Sequence, residues 1–276
     1  MATGQQPTLP TPLCGSPVNG SAVRRRGFAT KSFVLMVAKK KLRVSEGMRF
    51  LFATEGRAFE RCLSAFREFP AGRELLRHRP DLAALYASRA MLKAWPTGSL
   101  GQWYTQFMND FALTEEPYLS IAREQAVPFA ADPERAWFHL RFDSSHDIRH
   151  TLCGYRPDLL GEICLLSFRF AQIRHPGLLI LILLGFINLT FSYRGPVVAP
   201  LWEAYRRGRR ARLLDLLPWE NGFAEPLAVQ RAVLGLTPPR HYPQSFASEA
   251  YLGAAAKTDY TTHKGSETRE RAFETT

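Results

Sequence analysis

A chain of 276 residues with 46% hydrophobic and 22% charged side chains is long enough to bury a real core, and its composition is that of an ordinary globular protein. The four cysteines, Cys14, Cys62, Cys153 and Cys164, form no Cys-x-x-Cys pair, which argues against a disulfide framework or thiolate zinc site and for a reducing compartment. The formal charge of +11 is concentrated at one end, because residues 1–45 carry eight Lys or Arg and no acid.

Residues 1–22 are rich in Pro, Gly, Ser, Thr and Gln, a composition that cannot build a core, and residues 1–44 as a whole read as a disordered basic arm. The run Arg24-Arg25-Arg26-Gly27-Phe28-Ala29-Thr30 has the composition of a mitochondrial presequence but no good amphipathic helix, so a basic arm on a bacterial protein is the preferred reading. Phe33 to Val37 is a short apolar run within that arm.

From Ser45 the pattern turns helical, with Met48, Leu51, Phe52, Phe59, Leu63 and Phe66 recurring at three- and four-residue spacing until Phe69-Pro70-Ala71-Gly72 ends it. A short helix to His78 follows, then a second from Asp81 through Trp95 with Leu82, Leu85, Tyr86, Ala90 and Met91 on its apolar face. Pro96 to Gly98 stops that helix, and Ser99 can cap the next, Leu100 to Phe111. Gly98-Ser99-Leu100-Gly101 could cradle an anion at that N-terminus, although a tight turn between helices is the simpler account. Residues 134–142 form a helix or turn leading into the next segment. His139 within them is a structural histidine, or else a further ligand or proton carrier.

The densest chemistry is at His146-Asp147-Ile148-Arg149-His150, with Glu162 after eleven intervening residues. If residues 145–153 are helical, His146 and His150 lie one turn apart on one face, with Asp147 beside them. Gly154 is a natural helix terminator, Pro157 cannot continue a helix, and Asp158 can cap an apolar helix through Leu159, Leu160, Ile163, Leu166 and Phe170. The segment is therefore a helical hairpin that brings His150 and Glu162 together across its closed end. Two imidazoles and two carboxylates suit a cation that accepts mixed nitrogen and oxygen ligands, Zn²⁺ first, with Fe²⁺, Mn²⁺ or Co²⁺ as alternatives. The plainer account is a helix-start surface pair, a hydrogen-bonded core histidine and a first-turn carboxylate. Glu162 favours the metal, because it falls at the edge of an apolar stripe where an unpaired carboxylate is costly to desolvate.

Pro176 to Tyr193 is an eighteen-residue stretch without a charge, at the threshold for crossing a bilayer. Gly185, Asn188, Thr190 and Ser192 make its second half too polar for that role. It reads as a buried helix lining an apolar cavity. Arg206, Arg207, Arg209, Arg210 and Arg212 then place five guanidiniums in seven residues, a density suited to an anionic surface, while no nucleic-acid motif accompanies them. A helix from Leu227 to Leu236 and the pair Pro238-Pro239 close the domain. No alternating strand pattern occurs anywhere. The expected fold is all-α: a single compact helical domain over residues 45–240 carrying the metal-binding hairpin, with a mostly disordered extension at 241–276.

The pattern His-Asp, two residues, His, eleven residues, Glu resembles the signature of the coenzyme Q biosynthesis protein 4 family at all four positions. The resemblance continues through Leu152, Gly154, Leu160 and Gly161, upstream at Pro96-Thr97-Gly98-Ser99-Leu100-Gly101 with Tyr104, and downstream at Ala204 to Ala211, Trp219-Glu220, Pro226-Leu227 and Leu234-Gly235-Leu236. It covers roughly residues 46–240, and beyond Glu162 it looks more like bacterial members. It implies a ubiquinone-biosynthesis enzyme, a carboxy-lyase removing the ring carboxylate of a polyprenylated 4-hydroxy-3-methoxybenzoate, with or without hydroxylation at the same carbon. His146, Asp147, His150 and Glu162 would then be both metal ligands and catalytic residues. The partners so implied are the polyprenylated benzoate or quinone precursor, an anionic membrane surface, other ubiquinone-biosynthesis proteins and further copies of the chain in a homo-oligomer. The expected location is the bacterial cytoplasm, peripheral to the membrane, or alternatively the matrix side of the mitochondrial inner membrane. Two competing classes are a non-catalytic lipid-binding scaffold and a metal-dependent hydrolase. The second is weakened by Asp147, a methylene shorter than the Glu of a His-Glu-x-x-His protease.

Overall fold

The structure is a computed structural model and describes residues 44–55, 57–87, 95–193 and 195–247. Among them the chain is helical, with no strand and one isolated bridge between Ser99 and Pro226, so the all-α expectation holds. The basic arm before residue 44, with its Phe33 to Val37 run, and residues 248–276 lie outside the described residues.

The periodic segment after Ser45 divides into α1 (Val44–Thr54) and α2 (Ala58–Glu68). The break coincides with Glu55, whose side chain turns inward and is buried. Pro70 opens α3 (Pro70–His78), which ends at Arg79 in the left-handed region. α4 (Leu82–Ala87) begins the helix expected from Asp81 to Trp95, and the remainder of that helix is outside the described residues. Ser99 caps α5 (Leu100–Asp110) by accepting the Gln102 N–H at 3.2 Å. α6 (Glu116–Ala126) and a 3₁₀ turn at Val127–Phe129 precede α7 (Pro133–Ser144), capped by Asp132. The hairpin is α8 (His146–Cys153) and α9 (Leu159–Ile173). α10 (Pro176–Ser192), α11 (Val198–Arg210), a 3₁₀ turn at Leu214–Leu216, α12 (Trp219–Gly222) and α13 (Leu227–Val233) follow.

α9 is the centre of the packing and lies against α2, α8, α10 and α11. Its Cys164, Leu165 and Phe168 are sealed from solvent. Two glycines set how closely its neighbours approach. A Cβ on Gly208 of α11 would sit 2.3 Å from the Phe168 carbonyl oxygen, and one on Gly185 of α10 would sit 2.2 Å from the Ile163 side chain.

α10 differs from the sequence reading. It buries Gly177, Leu178, Leu181, Gly185 and Leu189 against the core, while Leu179 (43%), Leu183 (53%), Ile187 (54%) and Phe191 (88%) on the other face are exposed. The helix therefore does not line a closed cavity at Gly185, which is filled by Ile163. Among the described residues no helix is long and apolar enough to cross a membrane.

The packed chain also runs past residue 240, because Tyr242, Phe246 and Ala247 are buried. The Phe246 N–H donates to the Gly154 carbonyl at 2.9 Å, and its ring sits among Trp103, Phe107 and Phe111. A short aromatic and polar tail can dock in this way without any periodic signal in the sequence.

Several arginines are core residues. Asp215 is held between Arg149 at 2.8 Å and Arg169 at 2.5 Å, and Arg141 pairs with Glu220 while donating to the Asp215 and Leu217 carbonyls. Within the arginine-rich segment Arg207 is likewise buried, donating to the Cys153 and Thr237 carbonyls at 2.9 Å each. Arg206, Arg209 and Arg210 remain exposed.

Because the obstacle at Gly208 is backbone rather than a movable side chain, Gly208→Ala must push α11 away from α9. We expect it to destabilise the fold by about 1–3 kcal/mol. A lower urea midpoint with an unchanged m-value would show this, and an unaltered midpoint would disprove the close-approach account.

Candidate metal centre

α8 has only eight residues, and Asp147 through Cys153 are all buried within it. A buried helix this short leaves most of its C-terminal carbonyls without intrahelical partners, so they need donors from elsewhere. Gly154, with φ 77°, supplies one by donating its N–H to the His150 carbonyl at 2.9 Å. Arg231 donates to the Thr151 and Leu152 carbonyls at 2.8 and 3.0 Å, and Arg207 to that of Cys153. The cations also lie at the favourable, negative end of the helix dipole.

Held in this way, α8 presents His146 and His150 one turn apart with their Nε2 atoms 3.0 Å from each other. Asp158 starts α9 by accepting the Gly161 N–H at 3.0 Å, and its second oxygen accepts the Tyr242 hydroxyl. Glu162 in the first turn of α9 then points back at the pair, 3.3 Å from His146 Nε2 and 3.4 Å from His150 Nε2. Donor atoms of His146, His150 and Glu162 all lie within 4.8 Å of one another, in an arrangement that could hold a metal ion. Asp147 is not part of that donor group. It is buried beside it, and burial raises its carboxyl above the ordinary carboxylate range, against the opposing pull of His146 and His150.

The electrostatics fit a site built to meet positive charge. Burial opposes a charged Glu162, but His150 and His146 together outweigh it and hold the carboxyl well below its usual range. His150 is likewise disfavoured in its charged form by burial, and Glu162 beside it reverses the balance and raises it. His150 Nδ1 lies 3.1 Å from the Tyr155 carbonyl, which assigns its proton to Nδ1 in the neutral form and leaves the Nε2 lone pair available to a cation between it and Glu162. Tyr118 stacks on His146 at 4.8 Å and Phe107 on His150 at 5.6 Å, fixing both rings.

Tyr118 is a site residue that the sequence reading missed, together with the whole of α6. The acidic pair Glu115-Glu116 before Pro117 is an ordinary helix-start signal that could have found the helix, though not its position over His146. The anion cradle at Gly98 to Gly101 is not available, since the Gly98 N–H is taken by the Gln102 side chain, that of Leu100 by the Glu225 carbonyl and that of Gly101 by the Phe223 carbonyl.

His139 lies outside the donor group. It is buried between Glu55, 3.3 Å from Nε2, and Asp143, 3.1 Å from Nδ1, among the rings of Phe52, Phe59 and Phe129. A cavity of about 80 Å³ adjoins this cluster and is lined also by Tyr118, His146 and Arg149. It is far below the roughly 300–1,000 Å³ of ordinary ligand pockets and has room for a few waters rather than a lipid tail.

A family profile described as "Coenzyme Q (ubiquinone) biosynthesis protein Coq4" matches residues 50–240 and so takes in α8, α9 and all four motif residues. The chain belongs to the Coq4 family. Among its relatives is the mitochondrial ubiquinone biosynthesis protein COQ4 homolog of Rattus norvegicus, 28% identical over 180 residues, covering 64% of this chain and 65% of that one. The Homo sapiens homolog is 29% identical over 183 residues, covering 66% of each. The chain thus matches just under two thirds of the length of these relatives. A crystal structure from Nostoc punctiforme, of a protein provisionally named for ubiquinone biosynthesis, superposes with a TM-score of 0.56 at 18% identity, covering 76% of this chain and 97% of that one. That likeness shows that the two chains share a fold.

Burial works against charging His139, yet Asp143 and Glu55 more than compensate and raise it from 6.5 to about 9. A raised imidazole stabilises the fold fully below its unfolded value near pH 6.5, and the contribution fades as pH climbs through about 9. The stability gap between wild type and His139→Gln should accordingly be widest at pH 6 and narrow by pH 10. Thermal midpoints across that range test this, and a gap independent of pH would exclude a protonated His139.

Proposed function

We propose that this Coq4-family chain is a metal-dependent ubiquinone-biosynthesis protein acting on the ring carboxylate of a polyprenylated 4-hydroxy-3-methoxybenzoate, with loss of the carboxyl at C1 and with or without hydroxylation there. The observation that carries the reading is the convergence of His146 Nε2, His150 Nε2 and a Glu162 carboxylate on one point within a matched family domain. Two imidazole nitrogens and one carboxylate are donors that Zn²⁺, Fe²⁺, Mn²⁺ or Co²⁺ accepts, with Zn²⁺ the first expectation. Three protein ligands leave positions open, as catalytic rather than structural sites do. Asp147 acts from beside the donors and supplies negative charge to the imidazole pair.

A bound divalent ion would supply Lewis acidity for phenolate or carboxylate oxygens of the ring. The chain's own contributions are separate. Tyr118 and Phe107 hold the two imidazoles in place, and the Tyr155 carbonyl fixes the tautomer of His150. His150 is sealed from solvent while His146 and Glu162 are partly exposed, so the donors join a low-dielectric interior, which strengthens charge interactions, to an opening on the surface. We further propose that the protein works at the periphery of an anionic membrane with other quinone-biosynthesis proteins, and that copies of the chain associate.

His150→Ala should abolish divalent-ion binding while circular dichroism retains most of the helical signal, whereas Asp147→Asn should weaken affinity by about 10–100-fold. Elemental analysis of purified protein decides the matter, and equal metal content in wild type and His150→Ala would overturn the reading. CO₂ release from a short-tailed hydroxymethoxybenzoate by metal-loaded wild type, lost in Glu162→Gln, separates an enzyme from a scaffold. Tight metal binding without turnover would favour the scaffold.

A further inference from the structure

The exposed side of α10 is a continuous apolar face. Leu179, Leu183, Ile187 and Phe191 follow one another at four-residue spacing, and the whole helix lacks a charged residue. After five intervening residues the chain re-enters a helix, α11, whose outward face changes character along its length. Val198 and Trp202 are exposed at 66% and 58%, and within the next two turns the same arc carries Arg206, Arg209 and Arg210, all exposed. Between these halves stands a group of aromatic rings. Trp202 stacks on Tyr205 at 5.5 Å, Tyr205 meets Phe170 at 6.4 Å, and the Arg174 guanidinium lies over both Phe170 and Tyr205. Along α11 the order apolar, aromatic, cationic matches the layers of a lipid–water boundary, and the α10 stripe supplies further apolar surface.

We propose that α10 and the outer face of α11 form a docking surface for an anionic lipid bilayer, with Leu183, Ile187 and Phe191 entering the acyl region and Arg206, Arg209 and Arg210 meeting phosphate headgroups. The assignment rests on the membrane-peripheral reading above and names the surface responsible. Charge decides for lipid over a second copy of the chain. An isologous pairing of this face would bring the exposed guanidiniums of two copies together with few acids to offset them, since α10 has none and Glu203 of α11 already accepts the Arg240 and His241 backbone N–H groups. Phosphate headgroups supply the missing negative charge. The mode is interfacial, because among the described residues no helix is long enough to span. Arg207, though central in the basic run, takes no part, because it is buried under Cys153 and Thr237.

The full-length chain should co-sediment with phosphatidylcholine vesicles containing phosphatidylglycerol. Leu183→Glu/Ile187→Glu, both at exposed positions, should lower vesicle partitioning by at least about tenfold. Arg206→Gln/Arg209→Gln/Arg210→Gln should reduce binding to the level seen on phosphatidylcholine alone and remove most of its salt dependence. The proposal is overturned if wild type ignores vesicles, if Leu183→Glu/Ile187→Glu partitions like wild type, or if sedimentation without vesicles shows a dimer that this variant splits, which would give the face to a second copy. Cation stoichiometry on the same samples judges the metal reading separately, since neither variant touches His146, His150 or Glu162.

Discussion

The site depends on how a buried two-turn helix is ended. α8 is too short to satisfy its own carbonyls and too deeply placed for water to do so, and a stranded buried carbonyl costs about 1–3 kcal/mol. Arg207 and Arg231 resolve this with guanidiniums from α11 and α13. Arg231 also donates to the Phe246 and Ala247 carbonyls, so the same side chain that terminates the motif helix anchors the 242–247 segment. Gly154 completes the cap, and its carbonyl in turn receives the Phe246 N–H. The distance between His150 and Glu162 is thus controlled by residues some fifty to eighty positions downstream.

A second layer of buried charge supports the first. Asp215 is shared by Arg149, which lies within the motif, and Arg169 of α9. Burial disfavours its ionised form, but the two guanidiniums prevail and hold the carboxyl low, at about 2. Burial and the like charge of Arg169 lower Arg149 to about 10, which leaves it a cation at neutral pH. Removing either partner would leave an uncompensated charge in the interior, so the arrangement restricts α8 and α9 to one relative placement. The rings over His146 and His150 act on a smaller scale, since stacking limits how far each imidazole can turn from Glu162.

These interior constraints leave α10 with only one packed face. Gly185 brings it close to α9, and the side turned away keeps large apolar residues that no described residue covers. A globular protein with this much contiguous apolar surface is built to meet something. That surface lies on the helix directly following the hairpin that carries His146, His150 and Glu162.

The sequence by itself determined the helical class and the hairpin that brings His146, His150 and Glu162 together, because these depend on local periodicity, on Gly154 and Asp158 as stop and start signals, and on the i, i+4 relation of His146 and His150, whereas Asp147, counted there as a fourth donor, lies beside the group. Only the tertiary structure decided which arginines of the 206–212 run are surface and which are structural, because five guanidiniums look alike until one is seen beneath the end of another helix. It alone decided that α10 is half exposed, since a helix apolar on every side matches a buried environment and a lipid one equally. It alone placed Tyr118 over His146 and the 242–247 segment in the core, since both contacts are made across long sequence separations that no local pattern encodes.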